Sequence, residues 1–143
     1  MIKQFPDECL TKASEPFTDI CDMDEAIRLL EGALNSVEAV GIALPQLGIN
    51  KRAIILNFEN WMSFPMINPK IIDSSKFKLN STESCLSVGG IWTVKRKDWI
   101  TVEFQTRDRN VTRQKFEKFA ASVVQHEIDH LNGILISSHG KEK

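Results

Sequence analysis

A predicted helix near the end of the chain carries polar side chains on the face that should be buried. The pattern predicts this helix from residue 112 or 113 to 132, with Gly133 as its C-terminal stop. On a helical wheel, His126 falls at the edge of the apolar arc, and Glu127 and His130 fall inside it. Burying polar groups costs free energy unless each finds a partner. These three residues are therefore expected to share a partner or a function in the interior. The apolar arc consists of Phe116, Phe119, Ala120, Val123, Val124, Ile128 and Leu131.

The two histidines and the glutamate form a His-Glu-x-x-His pattern. His126 and His130 are four residues apart, so both lie on one face of the helix. This spacing is typical of two imidazoles that bind one metal ion, with the intervening Glu acting as a base toward water. The alternative is a pair of core histidines that hydrogen-bond to backbone carbonyls, and an inward Glu127 argues against it.

A catalytic metal site usually has three protein ligands and one open position, so a third ligand is needed. Ile136 stands where metzincin proteases carry their third His. Glu142 follows His130 too closely for the thermolysin-like pattern. The third ligand is therefore expected upstream, and Cys85 is the best candidate because thiolate binds zinc and ferrous iron strongly. The alternative for Cys85 is a small buried hydrophobe.

One more helix is predicted near the start of the chain. Asp22 followed by Glu25 resembles a capping box, and an apolar stripe continues from there to Val37. We therefore expect a helix that begins at Asp22 and ends before Gly41.

Strand signals fill the middle of the chain. Residues 53–56 form a short apolar run, and residues 99–105 alternate between apolar and polar side chains, as in a half-buried antiparallel strand. Pro65 and Pro69 suggest an edge or irregular strand, which Ile71 and Ile72 extend.

The remaining signals are two Gly residues and the C-terminal tail. Gly89 and Gly90 predict a turn, residues 134–136 a last short strand, and residues 137–143 a frayed tail. The sequence therefore predicts an α+β fold, with antiparallel strands packed around a central helix that carries the His-Glu-x-x-His motif.

Length and composition limit the classes of protein. The 143 residues suit a single domain over 1–143, and their net charge of -1 gives no expectation of direct nucleic-acid binding. No apolar run is long enough to span a membrane, and the N-terminus lacks an apolar signal core, so a cytoplasmic protein is expected. Three cysteines argue against a disulfide framework, and Cys9 and Cys21 receive no role.

Three motifs together resemble those of the peptide deformylase family. The third family motif, Gln-His-Glu-x-Asp-His-Leu, is matched in full by residues 125–131. The second, Glu-Gly-Cys-Leu-Ser, appears at residues 83–87 with Ser84 in place of Gly. The first, Gly-x-Gly-x-Ala-Ala-x-Gln, appears at residues 39–46, where Ala39 replaces a Gly and Leu44 replaces an Ala. The resemblance covers about residues 5 to 137.

The resemblance implies a catalytic metal site. Cys85, His126 and His130 would bind one divalent metal ion, and Glu127 would be the general acid and base. The family uses ferrous iron and often works with nickel or cobalt, while zinc forms are usually sluggish. An iron–thiolate site would be sensitive to oxidation at Cys85.

The resemblance also implies how the substrate is held. The Gln46 side chain and the Leu86 N–H would stabilise the oxyanion, and Gly41 would hydrogen-bond to the substrate backbone. Val40, Phe119 and Val123 lie beside motif residues and could line a pocket for methionine; plain core packing is the alternative. These candidate positions complete the predicted site.

The implied reaction is removal of the N-formyl group from the N-terminal formyl-methionine of newly made polypeptides, with release of formate. The partners would be N-formylmethionyl peptides and nascent chains in the cytoplasm, which would be a host cytoplasm if a phage encodes the chain. The chain resembles short phage forms without the usual C-terminal helix, which leaves docking on the ribosome open. Two alternatives remain at this point: another His-Glu-x-x-His metallopeptidase, and a non-catalytic metal-binding domain.

Overall fold

A computed structural model describes residues 1–58 and 63–143 of the chain, and it shows an α+β fold with two antiparallel sheets. The predicted fold class is confirmed. Among the described residues, no helix is both long and apolar enough to cross a membrane. The strands are β1 (Gly41–Ala43), β2 (Ala53–Leu56), β3 (Phe64–Ser74), β4 (Lys78–Cys85), β5 (Val88–Lys97), β6 (Trp99–Gln105), β7 (Val111–Glu117) and β8 (Lys141–Glu142).

The strands form two separate sheets, and Cys85 lies in the smaller one. The larger sheet has the order β1-β2-β3-β6-β7, and the smaller has the order β4-β5-β8. The helix formed by Lys118–Leu131 packs against strands of both sheets and so brings the sheets together. The helices are α1 (Ile20–Ser36), α2 (Lys118–Leu131) and α3 (Ile136–His139), with short 3-10 turns at Glu8–Thr11 and Leu44–Leu47.

Both long helices begin at residues other than the predicted ones. Helix α1 begins at Ile20 rather than Asp22, because the Asp19 carboxylate caps it by accepting a hydrogen bond of 2.8 Å from the Cys21 N–H. Helix α2 begins at Lys118 rather than at residue 112 or 113. Residues 111–117 instead pair along the whole of β6, so Phe116 is buried from a strand and not from the helix. Pairing with a neighbouring strand here outweighs local helical periodicity.

The predicted strands are confirmed, and only the position of β3 within its sheet differs from the edge position that its prolines suggested. Residues 53–56 and 99–105 form β2 and β6, and the side chains of Ile100, Val102 and Phe104 are buried as the alternation predicted. Strand β3 is irregular, with a register shift between Ile67 and Lys70, but it lies in the middle of its sheet and not at an edge. Pro69 falls within this irregularity, where a ladder hydrogen bond is not required.

The turn and tail predictions were wrong. The turn between β4 and β5 is formed by Leu86 and Ser87, because Cys85 pairs with Val88, and Gly89 and Gly90 belong to β5. Residues 134–136 do not form a strand, since α3 begins at Ile136. The tail is not frayed, because β8 pairs with β5.

The helix α2 ends where Gly133 takes a backbone conformation that L-residues rarely adopt. Its φ is 73°, and an added Cβ would lie 2.7 Å from the backbone carbonyl of Thr11. Gly32, inside α1, would place a Cβ in open space. The same substitution should therefore act in opposite directions at these two positions.

We expect Gly133→Ala to lower the free energy of unfolding by about 2 kcal/mol or more, because it adds left-handed strain and a backbone clash. Gly32→Ala should raise it by roughly 0.5–1 kcal/mol, since alanine is the better helix former. Urea unfolding of the two variants and the parent chain measures both values. Equal effects at the two positions would contradict this account of Gly133.

Candidate metal centre and active site

Helix α2 places three polar side chains in the interior, as the sequence predicted. His130 and Glu127 are buried, and His126 is nearly so. The rings of His126 and His130 lie edge to face with centroids 5.1 Å apart. Gln125, which is not a member of the predicted apolar arc, is also buried, and its amide pairs with the backbone N–H and carbonyl of Lys97. The helix is therefore enclosed by the protein on more than one face.

Strand β4 delivers the third member of the predicted metal site. Cys85 is its last residue, and its Sγ lies 3.4 Å from Nε2 of His130. One ligand atom from each of Cys85, His126 and His130 lies within 4.8 Å of the other two. The fold thus brings Cys85 next to a histidine that lies 45 positions further along the chain.

The donor set fits a divalent metal ion with an open position. Sulfur and imidazole nitrogen are the ligands that zinc and iron prefer, and three protein ligands leave a coordination position free for substrate or water. Glu127 Oε1 and His130 Nδ1 are buried, and neither has a hydrogen-bond partner among the described residues. A buried carboxylate oxygen without a partner is costly in a purely structural site, so its position beside the ligands indicates chemistry.

A buried cluster of charged residues, Glu83, Arg96 and Asp129, supports His126 on the side of the ring that faces away from the ligand group. Glu83 Oε1 lies 2.9 Å from His126 Nδ1, which leaves Nε2 of that ring to face the ligand group. Arg96, only 5% exposed, donates to both oxygens of Glu83 and lies 2.5 Å from Asp129 Oδ2. A carboxylate behind a metal-binding histidine fixes the orientation of the ring and its tautomer.

The pKa of Glu83 reflects this cluster. Burial alone would raise it, but hydrogen bonds with Arg96 and His126 outweigh burial and lower the pKa to about 2. Because the folded pKa lies below the ordinary value, Glu83 stabilises the fold above the ordinary pKa, and this contribution is lost as the pH falls toward 2. The carboxylate is therefore ionised throughout the neutral range.

The other buried groups of the site are shifted by their surroundings too. Burial raises the pKa of Glu127 to about 7, although the positive charges of His126 and Arg96 oppose the shift. Burial also lowers the pKa of His130 to about 3, which favours the neutral ring that a metal needs. A carboxylate with a pKa near neutrality can both accept and return a proton at the working pH.

Gln46 is fixed in one orientation at the side of the site. Its Oε1 accepts a hydrogen bond of 3.0 Å from the Ala43 N–H. Its Nε2 donates to the Ser87 hydroxyl at 3.2 Å and lies 3.9 Å from Cys85 Sγ. Gln46 and Ser87 are both buried, so the amide has little freedom to rotate. The donor end of this side chain therefore faces the ligand group.

A cavity of about 510 Å³ opens beside these groups. Gly41 and Val40 line one wall, and the chain from Ser81 to Leu86 lines another. At Gly41, an added Cβ would lie 2.8 Å from Glu127 Oε2, so only glycine allows β1 to pass this close to the carboxylate. Leu86 lies in the turn that follows Cys85.

The predicted pocket residues Val40, Phe119 and Val123 all line this cavity. Val123 is buried, whereas Val40 and Phe119 are 43% and 64% exposed, which places them toward the mouth. Plain core packing therefore does not describe the two exposed side chains. Their role in substrate binding remains a prediction.

Sequence reasoning assigned no role to Glu83, Arg96, Asp129 or Ser87, which surround the predicted site residues. Arg96 had a signal in retrospect, because it is a charged residue at an inward position two places from the buried Val94. That signal depends on knowing that residues 88–97 form a strand. The partners of Arg96 follow only from the tertiary structure.

These features define a class of protein, the metal-dependent hydrolases that pair a Cys and two His with an inward Glu. A family model described as Polypeptide deformylase matches residues 1–143. The chain belongs to this family, and it is an enzyme that removes the N-formyl group from newly made polypeptides. Membership in the family decides against the two alternatives, another metallopeptidase and a non-catalytic metal-binding domain. It also confirms the prediction that the enzyme depends on a metal.

Individual relatives and solved structures are similar to this chain over most of their length. A peptide deformylase of Thermodesulfovibrio yellowstonii is 35% identical over 141 residues, covering 94% of this chain and 85% of the relative. A probable peptide deformylase from a Synechococcus phage superposes with a TM-score of 0.90 at 38% identity, covering 97% of this chain and 98% of the other. An Acinetobacter baumannii peptide deformylase with Met-Ala-Ser bound gives a TM-score of 0.89 at 27% identity, covering 97% and 96% of the two chains.

We expect Glu83→Gln to weaken metal binding about 10- to 100-fold, because the histidine behind it loses its charged partner. Glu103→Gln is the matched control, since that carboxylate pairs with the exposed Arg113 far from the ligands. Competition with a chromogenic chelator measures the affinity of each variant. Equal affinity in the two variants would show that Glu83 does not support the metal site.

Proposed function

We propose that residues 1–143 form a single catalytic domain in which Cys85, His126 and His130 hold the metal ion. The observation that carries this proposal is the convergence of these three side chains with Glu127 at one cavity. When bound there, a divalent metal supplies Lewis acidity to water and to the formyl oxygen. The remaining roles belong to the side chains and backbone of the chain itself.

Glu127 is the proton carrier of the proposed mechanism. Its buried Oε1 accepts a proton from the attacking water and later returns it to the amine nitrogen that leaves. The pKa of about 7 suits both transfers. The close passage of Gly41 beside Glu127 also brings the backbone of β1 near the reacting groups, where it can hydrogen-bond to the substrate backbone.

Gln46 and Leu86 stabilise the negative charge that develops on the formyl oxygen. The Gln46 Nε2 donates from one side, where Ala43 and Ser87 fix its orientation. The Leu86 N–H donates from the turn after Cys85. Such donors act strongly because they are already oriented in a site with little water.

The substrate is a peptide with an N-terminal formyl-methionine. Val40, Phe119 and Val123 supply the apolar surface for the methionine side chain. The relative from Acinetobacter baumannii with Met-Ala-Ser bound supports a peptide of this kind as the reaction product. Nascent chains in the cytoplasm are the proposed partners, and ferrous iron is the proposed native metal, with zinc, nickel and cobalt as the other candidates.

The first test is formate release from formyl-Met-Ala-Ser by protein purified without oxygen and reloaded with ferrous iron. We expect Glu127→Gln to lower kcat by about 10²- to 10⁴-fold while the metal content stays at the parent level. Glu117→Gln, which changes an exposed carboxylate at the end of β7 just before α2, should leave kcat unchanged. Parent protein that holds metal but releases no formate would contradict the proposed function.

A second test concerns the orientation of Gln46. Gln46→Ala should lower kcat by about 10²- to 10³-fold through loss of an oxyanion donor. Ser87→Ala should cause a smaller loss of kcat, and Ser87→Thr should restore activity because it keeps the hydroxyl.

If Ser87 acts only through Gln46, adding Ser87→Ala to Gln46→Ala should cause no further loss of kcat. Multiplicative losses in the double variant would show that the two residues act independently. Metal content is measured in every variant, so that a loss of metal is not taken for a loss of the donor.

A further inference from the structure

The solvent-facing side of the smaller sheet carries lysines without any acidic residue. Residues directly opposite each other in an antiparallel pair share a face of the sheet. Val94 and Arg96 are buried on the inner face, so the alternate residues of β4, β5 and β8 face outward. We call four of these outward residues the lysine face: Lys78, Lys95, Lys97 and Lys141.

The register shows how closely these charges lie. Lys78 is directly opposite Lys97, and like charges in that position destabilise a sheet. Lys95 pairs with Asn80, and Lys141 pairs with Thr93. No Asp or Glu occupies an outward position on these three strands. The face thus combines positive charge with hydroxyl and amide groups.

The lysines of this face lack carboxylate partners. Among the described residues, none of the four forms an ion pair, whereas Lys51 and Lys115 elsewhere on the surface pair with Glu15 and Glu117. The overall charge of -1 does not reveal this arrangement, because it also counts acidic residues such as Glu83 and Glu142, which take the opposite register positions of these strands. An unneutralised row of cations attracts a polyanion.

We propose that the lysine face binds the phosphate backbone of folded RNA. Residues two apart on a strand are separated by about 6.6 Å, so the face presents a regular array of cations to successive phosphates. Its outward positions hold no aromatic side chain on which a single-stranded base could stack. Recognition is therefore expected to depend on phosphates and duplex shape rather than on sequence.

The position of the face relates it to the proposed function, on which its biological meaning rests. Thr82 lies on the outward side of β4 and also lines the active-site cavity. RNA on the lysine face would therefore lie beside the mouth where a nascent N-terminus enters.

The test measures binding of a fluorescein-labelled RNA duplex by anisotropy over a range of salt concentrations. One variant carries Lys→Gln at all four positions of the lysine face. A control variant carries Lys→Gln at four exposed lysines elsewhere, which gives the same net charge: Lys3, Lys12, Lys70 and Lys115.

We expect the lysine-face variant to bind RNA at least tenfold more weakly, and the control variant to stay close to the parent. The slope of log affinity against log salt should flatten by roughly 0.7–0.9 for each phosphate that the variant no longer neutralises. Equal reductions of affinity in both variants would show a net-charge effect and overturn the proposal. Tight binding to phosphatidylserine vesicles or to polyglutamate, with none to RNA, would overturn it as well.

Hydrolysis of formyl-Met-Ala-Ser is measured on the same preparations. The lysine-face variant should retain the parent kcat, because none of its four residues lies in the proposed catalytic machinery. Parent protein that binds RNA but does not hydrolyse the peptide would contradict the proposed function and leave the RNA surface standing. Parent protein that hydrolyses the peptide but does not bind RNA would overturn the RNA proposal alone.

Discussion

The buried ion cluster around Arg96 is the interaction on which both the fold and the site depend. Arg96 lies on β5, Glu83 on β4 and Asp129 on α2, so one guanidinium joins the smaller sheet to the central helix. Breaking such a pair leaves an uncompensated buried charge, which typically costs about 3–5 kcal/mol. The same Glu83 orients His126, so the geometry of the proposed metal ligands depends on the ion pairs that unite these elements.

At the site, the chain keeps a buried carboxylate and a strand glycine that are unfavourable for stability. Glu127 is buried with an oxygen that has no partner among the described residues, and its pKa is raised by burial. Gly41 makes room for that carboxylate, although glycine weakens a strand. Gln46, in contrast, is fully supported by Ala43 and Ser87. The orientation of Gln46 is thus enforced by its neighbours, while Glu127, the proposed proton carrier, keeps a buried oxygen that no described residue hydrogen-bonds.

Local patterns predicted the structure wherever the pairing and packing of a segment in the folded chain agreed with its own side-chain pattern. Residues 53–56 and 99–105 formed the strands that their side-chain pattern indicated. Residues 111–117 did not form the predicted helix, because an adjacent strand offered a complete hydrogen-bond ladder. The turn at residues 86–87 was also missed, since the pairing of Cys85 with Val88 is not visible in the glycine pattern. The net charge in turn concealed an uneven distribution of lysines over the surface.

The sequence by itself determined the chemistry of the protein, because the spacing of His126, Glu127 and His130 on one helix face follows from helical geometry alone. With Cys85 and the motifs around it, that spacing was sufficient to indicate the family. Only the tertiary structure decided which groups support these residues, because Arg96 meets its partners across two strands and a helix. Interactions of that kind depend on strand register and helix placement, which are settled by the packing of the whole chain.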